Sequence, residues 1–213
     1  TTTKALLVPA DGIDTDQGRK SFDEVAADLG AAIDKFLADP ATATAVLGAI
    51  QSPDTLKRIE EAPQAATVVL ASKKLEHPEV PKAEIRTPVV LRADAANEAA
   101  YMQERFGPIS TVVAVPGGPQ ALAALSERIV REHGALTVGM YSTKPEFIEA
   151  MTAATQRAGV ALSINLTSGV FVNQSAGFSD YHGTGANPAA NASYTDSAFV
   201  AGRFRVIQRR QHV

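Results

Sequence analysis

An α/β fold on a doubly wound, mainly parallel sheet is predicted for this chain of 213 residues by three observations. Short β-branched runs alternate with amphipathic helical stretches. Each helical stretch opens on a capping residue or a first-turn proline. Glycines stop two of them, at Gly134 and Gly159. Strands separated by helices are joined by right-handed crossovers, which lay successive strands parallel. The length suffices for one substantial domain with a buried core.

Taken in order, Lys4-Ala-Leu-Leu-Val8 is a short apolar strand ended by Pro9. Residues 11–20 are a polar loop rich in Gly and Asp. Ser21-Phe-Asp-Glu24 is a capping box, and behind it Phe22, Val25, Leu29, Ile33 and Phe36 recur at helical spacing. Pro40 and Pro53 start two short helices. Residues 67–71 and 88–92 are strands, with a charged, Pro-broken surface excursion over 73–86 between them. Residues 110–115 form the next strand. Gly117-Gly118-Pro119 starts a helix carrying Leu122, Leu125 and Ile129. The glycines there lack the pattern of a phosphate loop and are read as a helix start.

Residues 136–141 are again a strand. Thr143-Lys-Pro-Glu146 reads as a second capping box, ahead of a helix bearing Phe147, Ile148 and Met151. Residues 161–165, 169–173 and 203–208 are further strands, and 175–193 is a loop rich in Gly, Ala and Asn. No helix follows the last strand to return it to the sheet, so it is a candidate for pairing with another domain or subunit.

Composition narrows the function. The chain is 45% apolar and 20% charged, ordinary for a soluble globular protein. The net charge of −3, without blocks of like charge, argues against a nucleic-acid surface. Arg203, Arg205, Arg209 and Arg210 are read as a strand edge and solvated tail. The absence of cysteine excludes a disulfide scaffold and a thiolate metal site. No apolar run approaches the ~18 residues of a spanning helix, and no signal peptide is evident. The expected location is the cytoplasm, and the sequons at Asn165, Asn173 and Asn191 are chance matches.

Two stretches carry candidate chemistry. Glu104-Arg-Phe-Gly-Pro108 sets a carboxylate and an aromatic ring ahead of a Gly-Pro turn, between two strands. One reading makes it a helix end with Phe106 in the core. The other places it at a βα-type edge, where α/β proteins bind ligands. The second stretch runs from Asn165 to Asn173, then through Phe178-Ser-Asp-Tyr-His-Gly-Thr-Gly185 to Asn187-Pro188. Asp180 and His182 are too few for a metal site. With Ser179 they lie too close in sequence to converge as a triad. No metal is expected.

Glu104-x-Phe-Gly-Pro108 resembles the signature of the NAD(P)-dependent aldehyde dehydrogenases. Gly169-Val-Phe-Val-Asn173, followed by Phe178, resembles the stretch that leads into that family's substrate tunnel. The resemblance implies that Glu104 and Phe106 position the nicotinamide ribose and ring of NAD or NADP beside a nucleophilic cysteine. It implies that Asn173, Phe178 and His182 are substrate-binding. The pattern departs in the late loop, where Ser179 and Asp180 replace a glycine pair and His182 replaces a lysine. Phe178-Ser-Asp-Tyr-His-Gly-Thr-Gly-Ala-Asn-Pro188 in turn resembles the divergent branch acting in bacterial phenylacetate degradation. That branch oxidises the semialdehyde formed when the activated ring is opened. This likeness extends over nearly the whole chain, including Leu7-Val-Pro-Ala-Asp-Gly-Ile13 and Lys20-Ser-Phe-Asp-Glu24.

The resemblance implies the aldehyde dehydrogenase catalytic-domain type of fold. Residues 1–195 would be the part of that domain downstream of the nucleophile, and 196–213 a terminal strand serving as an oligomerisation arm. In this branch threonines and a strand follow the cysteine at once, so the nucleophile is expected immediately before Thr1. The chain itself then holds no catalytic residue and is expected to be inactive alone. The chemistry implied is thiolate attack on the aldehyde, hydride transfer to NAD(P) and thioester hydrolysis, with an amide donor for the oxyanion. The implied partners are a small-molecule aldehyde, with a coenzyme A-linked semialdehyde as one form, the cofactor-binding domain of the same protein, and further copies in a homodimer or tetramer.

Two alternatives stand beside this reading. One is a non-catalytic dimerisation scaffold of the same fold, which the missing cysteine suits equally well. The other is an N-terminal-threonine hydrolase, with the Thr1 hydroxyl as nucleophile and Lys20 as its activating cation. That enzyme class requires a sandwich of antiparallel sheets with two early strands.

Overall fold

The computed structural model describes residues 4–135, 137–167 and 207–210. The chain divides into two compact units, Thr1–Pro116 and Gly117–Val213.

In the first unit the elements follow in the order β1 (Ala5–Pro9), β2 (Ile13–Thr15), β3 (Gly18–Lys20), α1 (Phe22–Phe36), α2 (Pro40–Val46), α3 (Pro53–Glu61), β4 (Thr67–Leu70), β5 (Lys74–Leu75), β6 (Ile85–Arg86), β7 (Val89–Asp94) and β8 (Ile109–Val115). The main sheet has the order β1-β8-β7-β4. Strands β1, β8 and β7 are parallel, with Leu7 opposite Val113 and Leu91 opposite Thr111, and β4 pairs antiparallel at the edge. The central strands are nearly continuous apolar runs, as a sheet covered on both faces requires. Val90, Val112 and Ala114 face Phe22 and Ala26 of α1. Val89, Leu91 and Ile109 face Ile59 of α3 and Ala62. Alternate residues of β7 thus serve opposite cores, the geometry of a doubly wound sheet. Leu91 is fully buried. Leu91→Ala is therefore expected to cost about 2–5 kcal/mol, read as a lowered urea midpoint at unchanged slope.

The second unit contains α4 (Gly118–His133), β9 (Thr137–Met140), α5 (Pro145–Ala158), β10 (Ala161–Ile164) and β11 (Ile207–Arg209). The sheet order is β11-β10-β9, all parallel. Ile148, with Phe147 and Met151 of α5, packs on Met140, Leu162 and Ile164. Glu127 ties α4 to α5, accepting from Arg131 Nε and Arg157 Nε at 2.9 Å each. These guanidinium bonds, that of Arg157 foremost, hold its carboxyl below the ordinary range against the opposing effect of desolvation.

Among the described residues most of the expected helices and strands are borne out; the expected strand over 169–173, the loop over 175–193 and the first part of the strand over 203–208 lie outside them. The α1 capping box forms: Ser21 N donates to Glu24 Oε2 at 2.7 Å, and Glu24 N donates to Ser21 Oγ at 3.3 Å. Helices α2 and α3 begin at Pro40 and Pro53, and Gly134 and Gly159 end α4 and α5. The second capping box does not form. Pro145 occupies the first helical position, so the cap falls on Lys144, which is extended and makes no side-chain capping hydrogen bond. Thr143 then lies one residue too early and Glu146 one position too near.

The loop over residues 11–20 contains a hairpin in which Ile13 pairs with Lys20 and Thr15 with Gly18. Its strands are too short and too exposed to show an apolar alternation. Gly18 at φ +104° supplies the turn, and Arg19 clasps Asp11 and Asp14. Phe36 is 58% exposed rather than on the core face. Among the described residues of the C-terminal stretch, Ile207–Arg209 pairs with β10 of its own chain, so one edge of the terminal strand is taken internally. The parallel strands rule out the antiparallel sandwich that an N-terminal-threonine hydrolase requires. Lys20, its proposed activator, pairs instead with Asp28 at 2.5 Å. Among the described residues no helix is long and apolar enough to cross a membrane.

Candidate functional site

The Glu104–Pro108 segment is the return half of the crossover from β7 to β8. Because these strands are parallel, the connection must leave the C-terminal end of β7 and come back to the N-terminal end of β8. The motif therefore lies at the N-terminal edge of the sheet, opposite the βα-type edge expected from sequence. Val89 N donates to Pro108 O at 2.9 Å there, and Val89 pairs with Ile109. The beginning of β1 lies at the same edge, where Thr111 N donates to Lys4 O at 3.2 Å.

Buried groups hold the segment at its base. Tyr101 is fully buried, and its hydroxyl donates to Ala95 O at 2.7 Å. Thr111 Oγ1 donates to Ala100 O at 3.1 Å. From that anchor the chain emerges into solvent. Glu104 is exposed, and Arg105 Nη2 bonds back to Ala99 O at 2.9 Å. Phe106 is 70% exposed, which overturns the reading of this ring as core. The next residue, Gly107, adopts φ +142°, and a Cβ there would lie 3.1 Å from Thr55 Cγ2. Ile109 N donates to Gly107 O at 2.8 Å and locks the turn into β8.

Arg58 on α3 completes the arrangement. Its Nε donates to Phe106 O at 2.8 Å and its Nη2 to Thr55 Oγ1 at 3.0 Å. Sequence gave no sign of this residue, because the contact spans 48 positions. Lys4 lies near Glu104: burial pushes the Lys4 ammonium down, and the Glu104 carboxylate opposes that shift. Lys4 also lines a small cavity of about 10 Å³ with Tyr101, Gln103, Arg105 and Thr111, about the room one water needs.

The chain is similar to a crystal structure of an NAD-dependent aldehyde dehydrogenase from Burkholderia multivorans, with 51% identity over 95% of this chain and a TM-score of 0.79. Its fold is the aldehyde dehydrogenase catalytic-domain fold. The likeness supports the aldehyde dehydrogenase superfamily. The chain spans 36% of the length of that protein. No family model matches the chain, and no curated protein does.

Within this aldehyde dehydrogenase fold, Glu104 and Phe106 stand on one short, fixed segment beside the start of β1. Asn173, Phe178 and His182 lie outside the described residues, as do Thr1, Ser179 and Asp180. Asn165, which opens the second stretch, is described. At φ +56° its side-chain amide accepts from Ser142 N and donates to Ser142 O, each at 2.9 Å. It is a brace between the ends of β9 and β10.

Proposed function

We propose that the protein containing this chain is an NAD(P)-dependent aldehyde dehydrogenase, and that Glu104 and Phe106 face the nicotinamide ribose and ring of the bound cofactor. One observation carries the reading: Phe106 is 70% exposed although its backbone is fixed. A large apolar ring held in water on a rigid segment is a surface made to be covered. The residues suit the group. Two carboxylate oxygens on Glu104 can accept from both hydroxyls of a ribose, and the Phe106 ring offers a flat face to a heterocycle. NAD or NADP, when bound, supplies the hydride acceptor.

The nucleophile is a cysteine directly ahead of Thr1. This chain holds no cysteine of its own, so it contributes positioning rather than bond-making. The start of β1 lies at the same sheet edge as Glu104 and Phe106, and a thiolate ahead of Thr1 is proposed to act beside them. It would carry the aldehyde through a thioester to the acid. Asn173, Phe178 and His182 are the proposed substrate-lining residues. The substrate is a semialdehyde of phenylacetate-type aromatic catabolism, with a coenzyme A-linked form included.

Residues 1–195 are proposed as catalytic domain and 196–213 as an oligomerisation arm. In that arm Ile207–Arg209 would use the edge not paired with β10 to join a second copy in a cytoplasmic homodimer or tetramer. Assay of the full-length protein with a series of semialdehydes and either cofactor tests this. Reduction of NAD or NADP is expected with a ring-derived semialdehyde above simple aliphatic aldehydes. No reduction with any aldehyde would instead support the non-catalytic scaffold, which the lack of cysteine also suits.

A further inference from the structure

We infer that Arg58 is a positioning residue for the cofactor-facing segment, acting on the ligand only through the Phe106 backbone; the inference rests on the reading of Glu104 and Phe106 given above. Phe106 is too exposed to be held by its own burial. Its ring direction, and that of Glu104 two residues earlier, therefore depend on what fixes the peptide. The Phe106 carbonyl lies just outside β8 and accepts from Arg58 Nε at 2.8 Å. A charged donor makes this one of the stronger bonds available to a neutral carbonyl.

The guanidinium is planar, so holding one side of it aims the other. Thr55 Oγ1, one turn earlier on α3, holds Nη2 at 3.0 Å. The same Thr55 presents Cγ2 to Gly107, where an added Cβ would lie only 3.1 Å away. Helix α3 thus fixes consecutive residues of the motif in two ways, by a bond at Phe106 and by close packing at Gly107. Ile59, from the same helix, packs on the underside of β7 and β8. The clamp is consequently built on the core and not on a free helix.

The test uses the full-length protein, titrated with reduced NAD or NADP and followed by cofactor fluorescence, alongside steady-state kinetics and thermal unfolding. Arg58→Met is expected to raise the Kd and KM for cofactor about tenfold. The kcat and the KM for aldehyde should change far less, and the thermal midpoint should be kept. Arg58→Lys should recover part of the loss, because an ammonium can reach one acceptor but not fork to Thr55. On a Glu104→Ala/Phe106→Ala background, Arg58→Met should add almost nothing, since no cofactor-facing side chain is left to position.

An undiminished loss on that background would show that Arg58 touches the cofactor directly and would overturn the inference. So would unchanged cofactor affinity in Arg58→Met when Phe106→Ala alone weakens binding. If instead the wild type binds neither cofactor, or Phe106→Ala and Glu104→Ala have no effect, the site reading itself fails. Should Arg58→Met not fold, Thr55→Val removes only the second anchor, and a loss of about threefold in the same direction is expected. No loss in Thr55→Val would count against the clamp.

Discussion

On the reading proposed above, the 213-residue chain alone is expected to oxidise no aldehyde with NAD or NADP, whereas a protein that joins it to the proposed cysteine and cofactor-binding domain is expected to do so. Replacing the cysteine expected ahead of Thr1 by Ser should remove that activity, by on the order of 10⁴-fold or more. The argument is chemical. A thiolate is present in useful amount near neutral pH, while a serine hydroxyl without an adjacent base is not. This chain has no cysteine to take over the role, and its most conspicuous exposed groups at the candidate site are a carboxylate and a phenyl ring. Both suit binding, and neither suits attack on an aldehyde beside a bound dinucleotide. The check is the absorbance of reduced cofactor with the three proteins at equal concentration. Turnover by the isolated chain would contradict the assignment of the nucleophile.

How far the sequence reveals this molecule depends on the range of each interaction. Caps and stops are local. Ser21 with Glu24, Pro40, Pro53, Gly134 and Gly159 each act within one turn of helix, and each is found where the residues predict. The apolar runs at Val89–Leu91 and Val112–Val115 are dense enough to mark buried parallel strands. The failures are also local. At Pro145 the ring moves the cap to Lys144 and dissolves the expected box. At Ile13–Lys20 the strands are too short to carry a period.

The candidate site was half legible. Glu104 and Phe106 stand out as a spaced pair, but the side of the sheet they occupy follows from strand direction and not from the residues themselves. Arg58 and Thr55 could not be found at all, because their relation to Phe106 and Gly107 exists only once α3 packs beneath β8. A single Arg in an amphipathic helix has the same appearance whether it meets solvent or clamps a distant carbonyl.

The second large effect is expected at the motif itself. In the full-length protein, Glu104→Ala should weaken cofactor binding about a hundredfold, since two hydrogen bonds to a charged acceptor are lost together. Phe106→Ala should weaken it about tenfold, for the loss of one covered aromatic face. Neither should move the thermal midpoint, because Glu104 is exposed and Phe106 is 70% exposed, so little folded-state contact is removed. That combination separates a ligand-facing residue from a structural one. The most direct test of the central claim is a fluorescence titration of full-length wild-type and Glu104→Ala protein with reduced cofactor. Saturable binding by the wild type, weakened about a hundredfold in the variant at an unchanged thermal midpoint, is the result expected here. Equal affinity in the two proteins would contradict the claim that this segment faces the nicotinamide ribose.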